Sequence, residues 1–153
     1  KTVMLLLVIS VITGCAGKIF EDKPGKLLIQ VHTSQDLNPD INGRPSPIVL
    51  YIFHLKSDNS FTNAPFFKLY ENSQETLGSD LIDQQEIEVS PSQNITLDTK
   101  KLTLDTRFIG ILAAYRDLDN SVWQSITPTP LNKKIHIDIN LERLRMTTAV
   151  ENR

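Results

Sequence analysis

Several short runs of this chain alternate between apolar and polar positions. In Lys26–Thr33, the residues Leu27, Ile29, Val31 and Thr33 share one face, while Leu28, Gln30 and His32 share the other. A period of two with branched side chains predicts a strand buried on one side. Lys134–Leu141 repeats the pattern, with Ile135, Ile137, Ile139 and Leu141 on one face and His136, Asp138 and Asn140 on the other. Ile48–Leu55 and Arg107–Tyr115 are almost continuously apolar, which predicts interior strands covered on both faces. Shorter alternating runs hold Ile87 and Val89, then Ile95 and Leu97, then Ser121–Ile126, while Lys100–Thr106 fits neither pattern cleanly. Turn residues separate them at Ser90-Pro91-Ser92-Gln93, Asp117–Asn120 and Thr127-Pro128-Thr129-Pro130. One segment breaks the rhythm: Phe66, Phe67, Leu69 and Tyr70 predict a short helix from about Ala64 to Asn72. Asn63 is its expected cap, Pro65 lies in the first turn, and a second turn over Gln74–Leu77 stops at Gly78. Seven or eight strands with one helical insertion predict an all-β, two-sheet antiparallel sandwich over residues 26–142, with a closed barrel as the alternative. Residues 143–153 read as a polar C-terminal tail.

The N-terminal stretch has a different character. Lys1 is basic, Val3–Ile12 is nearly all aliphatic, and Thr13 and Gly14 lead to Cys15, the single cysteine. A basic start, a short apolar run and small residues before a boundary predict a secretory leader over residues 1–14. The run is shorter than the roughly 20 residues a membrane-spanning helix needs. Ile12-Thr13-Gly14-Cys15 resembles a lipobox, the processing signal of bacterial lipoproteins. The resemblance implies cleavage before Cys15 and acylation of it. Each buried CH₂ contributes about 0.8 kcal/mol, so several chains on one residue make a lasting anchor where one chain alone is marginal. Residues 15–25, with Gly17, Pro24 and Gly25, read as a lipidated tether. Ala16 follows the cysteine, and the absence of aspartate there resembles sorting to the outer membrane.

Composition narrows the function classes. The net charge of −2 lacks the basic excess that nucleic-acid binding usually requires. With one cysteine no internal disulfide forms, so the fold depends on packing. His32, His54 and His136 lack metal-site spacing, and the oxygens of Asp117-Leu118-Asp119-Asn120 fit hairpin chemistry better than a calcium loop. There is no nucleophile elbow around the serines and no glycine-rich phosphate loop. The residues therefore predict a non-enzyme without cofactor, carrying only covalent lipid on Cys15.

The most distinctive stretch is Ser34–Pro47, with two Asp, two Asn, one Gly and three Pro between two core strands. It is too long for a tight hairpin, and a loop stiffened by proline loses little entropy on docking. Leu37-Asn38-Pro39 and Gly43-Arg44-Pro45-Ser46-Pro47, leading into an aliphatic strand, resemble the TssJ (SciN, VasD) lipoproteins of type VI secretion systems. Phe61–Leu69, Leu77-Gly78-Ser79-Asp80-Leu81, Ala114-Tyr115-Arg116-Asp117 and Trp123 continue the resemblance over nearly the whole chain. The chain departs from it at Tyr51 and Phe53, where the family often has Arg and Tyr. It departs again at Pro91-Ser92, where Pro-Gly is common, and at Gln124, where Arg often follows the tryptophan.

The resemblance implies a transthyretin-like sandwich on an outer-membrane lipoprotein facing the periplasm. It implies binding to the periplasmic C-terminal domain of TssM, and through it an indirect link to TssL. It places the contact on the loop between the first two strands, which here comprises Gln35, Asp36, Leu37, Asn38, Pro39, Asp40, Ile41, Asn42, Gly43 and Arg44. A stable interface buries about 1,200–2,000 Å², so neighbouring loops or a sheet edge are expected to contribute. A second reading, a lipoprotein that binds a small ligand or glycan, rests on Phe66, Phe67, Tyr70 and Trp123.

Overall fold

The computed structural model describes residues 22–152, and for residues 98–101 and 152 the backbone only. The expected leader, Cys15 and the first part of the tether lie outside the described residues.

The two most regular alternating runs become neighbours. β1 (Lys26–Thr33) and β7 (Lys134–Leu141) pair in parallel, with Leu27 beside Ile135, Ile29 beside Ile137 and Val31 beside Ile139. Their matching period of two puts both apolar sets on one face. β4 (Asn94–Lys101) flanks β1, and β8 (Met146–Asn152) flanks β7, giving a sheet of order β4-β1-β7-β8. The second sheet has the order β3-β2-β5-β6, from β3 (Leu81–Val89), β2 (Ile48–Leu55), β5 (Phe108–Ala113) and β6 (Gln124–Pro128). The architecture is the expected two-sheet sandwich. Its pairings are antiparallel except β1 with β7, a pair that requires the chain to cross through the other sheet between them.

The main core lies between the sheets. Leu27, Ile29, Val31, Ile135, Ile137 and Ile139 face Ile48, Leu50, Ile52, Ile109 and Ile111, all buried. The opposite face of β2 is also covered, as its continuous apolar run requires. Tyr51, Phe53 and Leu55 join Leu112 of β5 and meet Phe61, Leu69 and Leu77 from the helical insertion. Each such buried side chain contributes about 1.5–3 kcal/mol, which holds the insertion on the sheet.

The insertion shows the expected break at Asn72 and stop at Gly78, and adds a short helix that the pattern did not predict. α1 (Asn59–Asn63) precedes α2 (Phe66–Leu77), which bends at Asn72 and ends at Gly78 (φ +52°). Asn63 is not the cap of α2; its side-chain amide donates back to the carbonyl of Asn59 at 2.9 Å, and Pro65 occupies the capping position. The Phe61 ring lies directly on Gly110 of β5, where an added Cβ would stand 2.9 Å from a ring carbon. Only a residue without a side chain lets α1 approach the sheet so closely.

The ends of the chain were underestimated by pattern alone. Residues 143–153, expected as a polar tail, contain β8. It pairs with β7 from Leu141–Met146 to Ile135–Asn152. An edge strand needs backbone partners more than apolar side chains, and Met146 is the one that is buried. The Thr148 hydroxyl meets Ser125 of β6 at 2.9 Å, closing one seam between the sheets. β6 runs through Thr127 and Pro128 instead of stopping before them, because a proline costs no ladder bond on an edge strand. Asp22–Gly25, expected as the end of the tether, lie against the 130–133 turn. Asn132 donates to Asp22 at 2.9 Å, and Leu102 N–H donates to the Gly25 carbonyl at 3.0 Å.

Ser92 adopts φ +59° in the turn between β3 and β4. A left-handed conformation costs an L-residue with a Cβ about 1–2 kcal/mol, a cost that glycine avoids. Ser92→Gly is expected to raise stability by about 0.5–1 kcal/mol after the greater unfolded-state freedom of glycine is subtracted. Gly110→Ala is expected to lower stability by about 1–3 kcal/mol through overpacking against Phe61. Urea denaturation of both variants measures these opposite shifts.

Candidate partner-binding site

The loop from Ser34 to Pro47 leaves the sandwich beside two other connections, the 114–123 loop after β5 and the 142–145 turn before β8. Leu37 and Asn38 turn inward, at 0% and 2% exposure. Asn38 takes φ +44°, a region that Asn enters more readily than most residues. Its amide donates to the Pro47 carbonyl at 2.8 Å, closing the base of its own loop. Its side-chain oxygen accepts from Arg116 N–H at 2.9 Å, and its backbone N–H donates to the Arg143 carbonyl at 3.0 Å. One buried side chain and its own amide therefore join three connections. Tyr115 adds a second tie, donating its hydroxyl to the Glu142 carbonyl at 3.1 Å. Burial, then the Glu142 charge, pushes the Tyr115 phenol far above its ordinary range, so it stays a donor.

The tip of the loop is organised by Asp40. Its Oδ1 accepts from Asn42 N–H at 2.8 Å and Arg44 N–H at 2.9 Å, while its Oδ2 receives the Arg44 Nε at 2.8 Å. Gly43, at φ +76°, lets the chain reverse within this clamp. Hydrogen bonds from the Arg44 backbone and side chain hold the Asp40 carboxyl below its usual range. The clamp lifts Ile41 to the summit, 101% exposed, with Asn42, Gly43, Arg44 and Pro45 exposed around it. Gln35 and Asp36 are exposed at the start of the loop, and Ser34 donates to Asp36 at 2.7 Å.

Beside Ile41 is an open hollow lined by Pro39, Asp40, Arg116, Asp117, Arg143 and Leu144. These last four residues extend the candidate surface beyond the loop, as an interface of ordinary size requires. No spacing in the sequence brings them together; the strand order does.

The aromatic residues behind the ligand-binding alternative occupy the outer face of the second sheet. Phe66 stacks on Tyr70 at 5.3 Å and meets Trp123 edge-on at 5.3 Å, while Tyr70 meets Tyr51 edge-on at 5.6 Å. Phe67 meets Phe66 edge-on at 5.2 Å, yet Phe67 and Tyr70 remain among the exposed large apolar residues. Burial, then Glu86 opposite it on β3, pushes the Tyr51 phenol up to about 12, so this position is neutral. Among the described residues no grouping of three or more His, Cys, Asp or Glu is placed to hold a metal ion, and no helix is long and apolar enough to cross a membrane.

Eight strands among the described residues, a helical insertion and one end built around a braced, protruding loop define the class, a two-sheet β-sandwich domain with a candidate docking loop. The family model described as "Type VI secretion lipoprotein, VasD, EvfM, TssJ" matches residues 25–144, and the chain belongs to that family. The solved structure of the type VI lipoprotein TssJ1 from Pseudomonas aeruginosa is 34% identical with a TM-score of 0.80, over 84% of this chain and 97% of that one. Lip from Serratia marcescens, described as a membrane-bound component of the type VI secretion system, is 24% identical with a TM-score of 0.77, over 82% and 96%. A chain in the structure described as "T6SS protein TssM C-terminal domain (869-1107) from EAEC" shares the fold at 19% identity and a TM-score of 0.66, over 81% and 97%. No curated protein sequence matches the chain.

Two outcomes follow for the brace. Asn38→Ala orphans buried partners and places alanine at positive φ, and is expected to cost on the order of 3 kcal/mol in urea denaturation. The Asp40 clamp is depressed in pKa, so its contribution is complete above the ordinary aspartate range and is lost as pH falls through the lower folded value. Acid titration followed by NMR is expected to move the Asn42 and Arg44 amides together, below the ordinary aspartate range and not above it.

Proposed function

We propose that the chain is a non-catalytic lipoprotein of the outer membrane, anchored through acylated Cys15 and facing the periplasm, which binds the periplasmic C-terminal domain of TssM. In this reading it fastens the secretion complex, with TssL linked indirectly through TssM, to the outer membrane. The observation that carries the reading is Ile41, a large apolar residue held fully exposed on a loop that is rigid for reasons internal to the fold. Exposing it costs free energy in water that a partner recovers by covering it. Because the clamp already fixes the loop, little conformational freedom remains to be lost on docking.

The contact comprises the outward-facing part of the expected stretch: Gln35, Asp36, Pro39, Asp40, Ile41, Asn42, Gly43 and Arg44. Leu37 and Asn38 act from inside by holding that surface in place. Arg116, Asp117, Arg143 and Leu144 widen it on the side of the hollow. The family membership supports the secretion role. The occurrence of this fold in a structure described by the TssM C-terminal domain supports the choice of partner.

Ile41→Asp leaves the folded state unchanged because the side chain touches nothing internal. It is expected to weaken capture of the TssM C-terminal domain at least about tenfold, as loss of an interface anchor does. Undiminished binding by titration calorimetry would remove the loop assignment. Cys15→Ser is expected to abolish the acyl mass on the protein and to take it out of the outer-membrane fraction, checked by mass spectrometry of membrane extracts.

A further inference from the structure

The end of the sandwich opposite the loop carries a different charge pattern. Lys26 opens β1, and in the strand register it stands beside Lys101 of β4 on one side and Lys134 of β7 on the other. Leu27 stands beside Lys100. Adjacent strands lie about 4.8 Å apart, so three lysine positions cross the edge of the sheet in a row. Lys23 and Lys133 join Lys26 and Lys134 around a shallow hollow with Pro24 and Asn132, and all four lysines are exposed. Among the described residues, none of these four is held in an ion pair.

This arrangement brings the fold no stability of its own. Like charges directly opposite one another in a sheet are destabilising. Among the described side chains, the acids at this end lie to the side of these lysines: Asp22 accepts from Asn132, Asp105 lies on the turn after β4, and Glu151 stands opposite His136. The loop end is mixed by comparison, with Arg44, Arg116, Arg143 and Arg145 among Asp36, Asp40, Asp117, Asp119 and Glu142. The basic end therefore stands out in a chain whose net charge is −2.

Its position suggests the partner. Seven residue steps separate Cys15 from Asp22, and an extended chain spans at most about 3.3–3.6 Å per residue. With acyl chains on Cys15, Asp22 cannot lie farther than about 25 Å from the bilayer surface. We infer that the four exposed lysines Lys23, Lys26, Lys133 and Lys134 form a docking surface for anionic lipid headgroups of the leaflet that carries the anchor. This rests on the preceding reading for the acylation of Cys15 and for the leaflet that carries it. Headgroup contact at Lys23, Lys26, Lys133 and Lys134 stands the sandwich on its basic end and points Ile41 away from the membrane.

The test uses a version from Ala16 to Arg153, which has no acyl site. Both cores close within residues 22–152, and the Pseudomonas relative is matched over 97% of its length by this same domain. Co-sedimentation is measured with vesicles of phosphatidylcholine alone and of phosphatidylcholine mixed with phosphatidylglycerol. Binding is expected only to the anionic vesicles, and to disappear between about 0.05 and 0.5 M salt as the Debye length contracts. Each lysine near a charged surface is worth about fivefold. The combination Lys23→Gln, Lys26→Gln, Lys133→Gln and Lys134→Gln is therefore expected to reduce binding by about 50-fold or more. The four Lys→Arg replacements are expected to retain it. Equal binding to both vesicle types, or anionic binding that survives the glutamine variant, overturns the proposal. Neither result bears on Cys15, whose acylation is read separately from mass.

Discussion

The geometry of the loop end depends on the side chain of Asn38. Its carboxamide is among the few buried polar groups, and both of its ends are used, one by the carbonyl of Pro47 and one by the N–H of Arg116. A buried amide with an unmet donor or acceptor is costly, so the position of each partner is tightly specified. Three connections that leave different strands thereby share one origin, with Leu37 filling the apolar space beneath them. The outward face of the loop inherits that rigidity. Asp40 then fixes the tip with contacts that need only the local chain, and each level of order rests on the one below it.

Much of this was legible in the residues, and the exceptions have physical causes. β1, β2, β5 and β7 stood out because buried faces impose a period of two, or continuous apolarity where both faces are covered. β8 did not stand out, since among its described side chains it buries only Met146 and it owes its place to backbone pairing that any sequence without proline can make. Pattern likewise does not distinguish parallel from antiparallel neighbours, so the β1–β7 pair was visible only as two similar strands. In the loop, Leu37 and Ile41 are both aliphatic residues among polar ones, yet one is buried completely and the other not at all. The difference comes from Asn38 reaching Arg116, a contact 78 residues away in sequence. The four residues across the hollow were hidden for the same reason.

The positions that the resemblance singled out as departures are not equivalent in energy. At Ser92 the backbone keeps the positive φ that glycine serves better, so the turn survives at a cost to the residue. Thr33 and Ser34 explain why it does not relax. The Thr33 hydroxyl donates to the Ser90 carbonyl at 2.7 Å, and Ser92 N–H donates to the Ser34 carbonyl at 3.2 Å. At Tyr51 and Phe53 the replacements are accommodated by the helical insertion, which turns that face into a second apolar core. Ser92 strains the backbone, whereas Tyr51 and Phe53 change what the outer sheet face is made of.

The placement of β1 between antiparallel β4 and parallel β7 has a mechanical meaning. The chain enters β1 at the lysine end and leaves it directly into the Ser34–Pro47 loop, so one strand connects the two opposite poles of the domain. Tension between those poles runs along β1 and is resisted by two flanking ladders loaded in shear. Many hydrogen bonds must then yield at once, whereas a strand peeled from an edge releases them one at a time. A body pulled from both ends would be hard to unravel in this direction, and comparatively soft if pulled at β8.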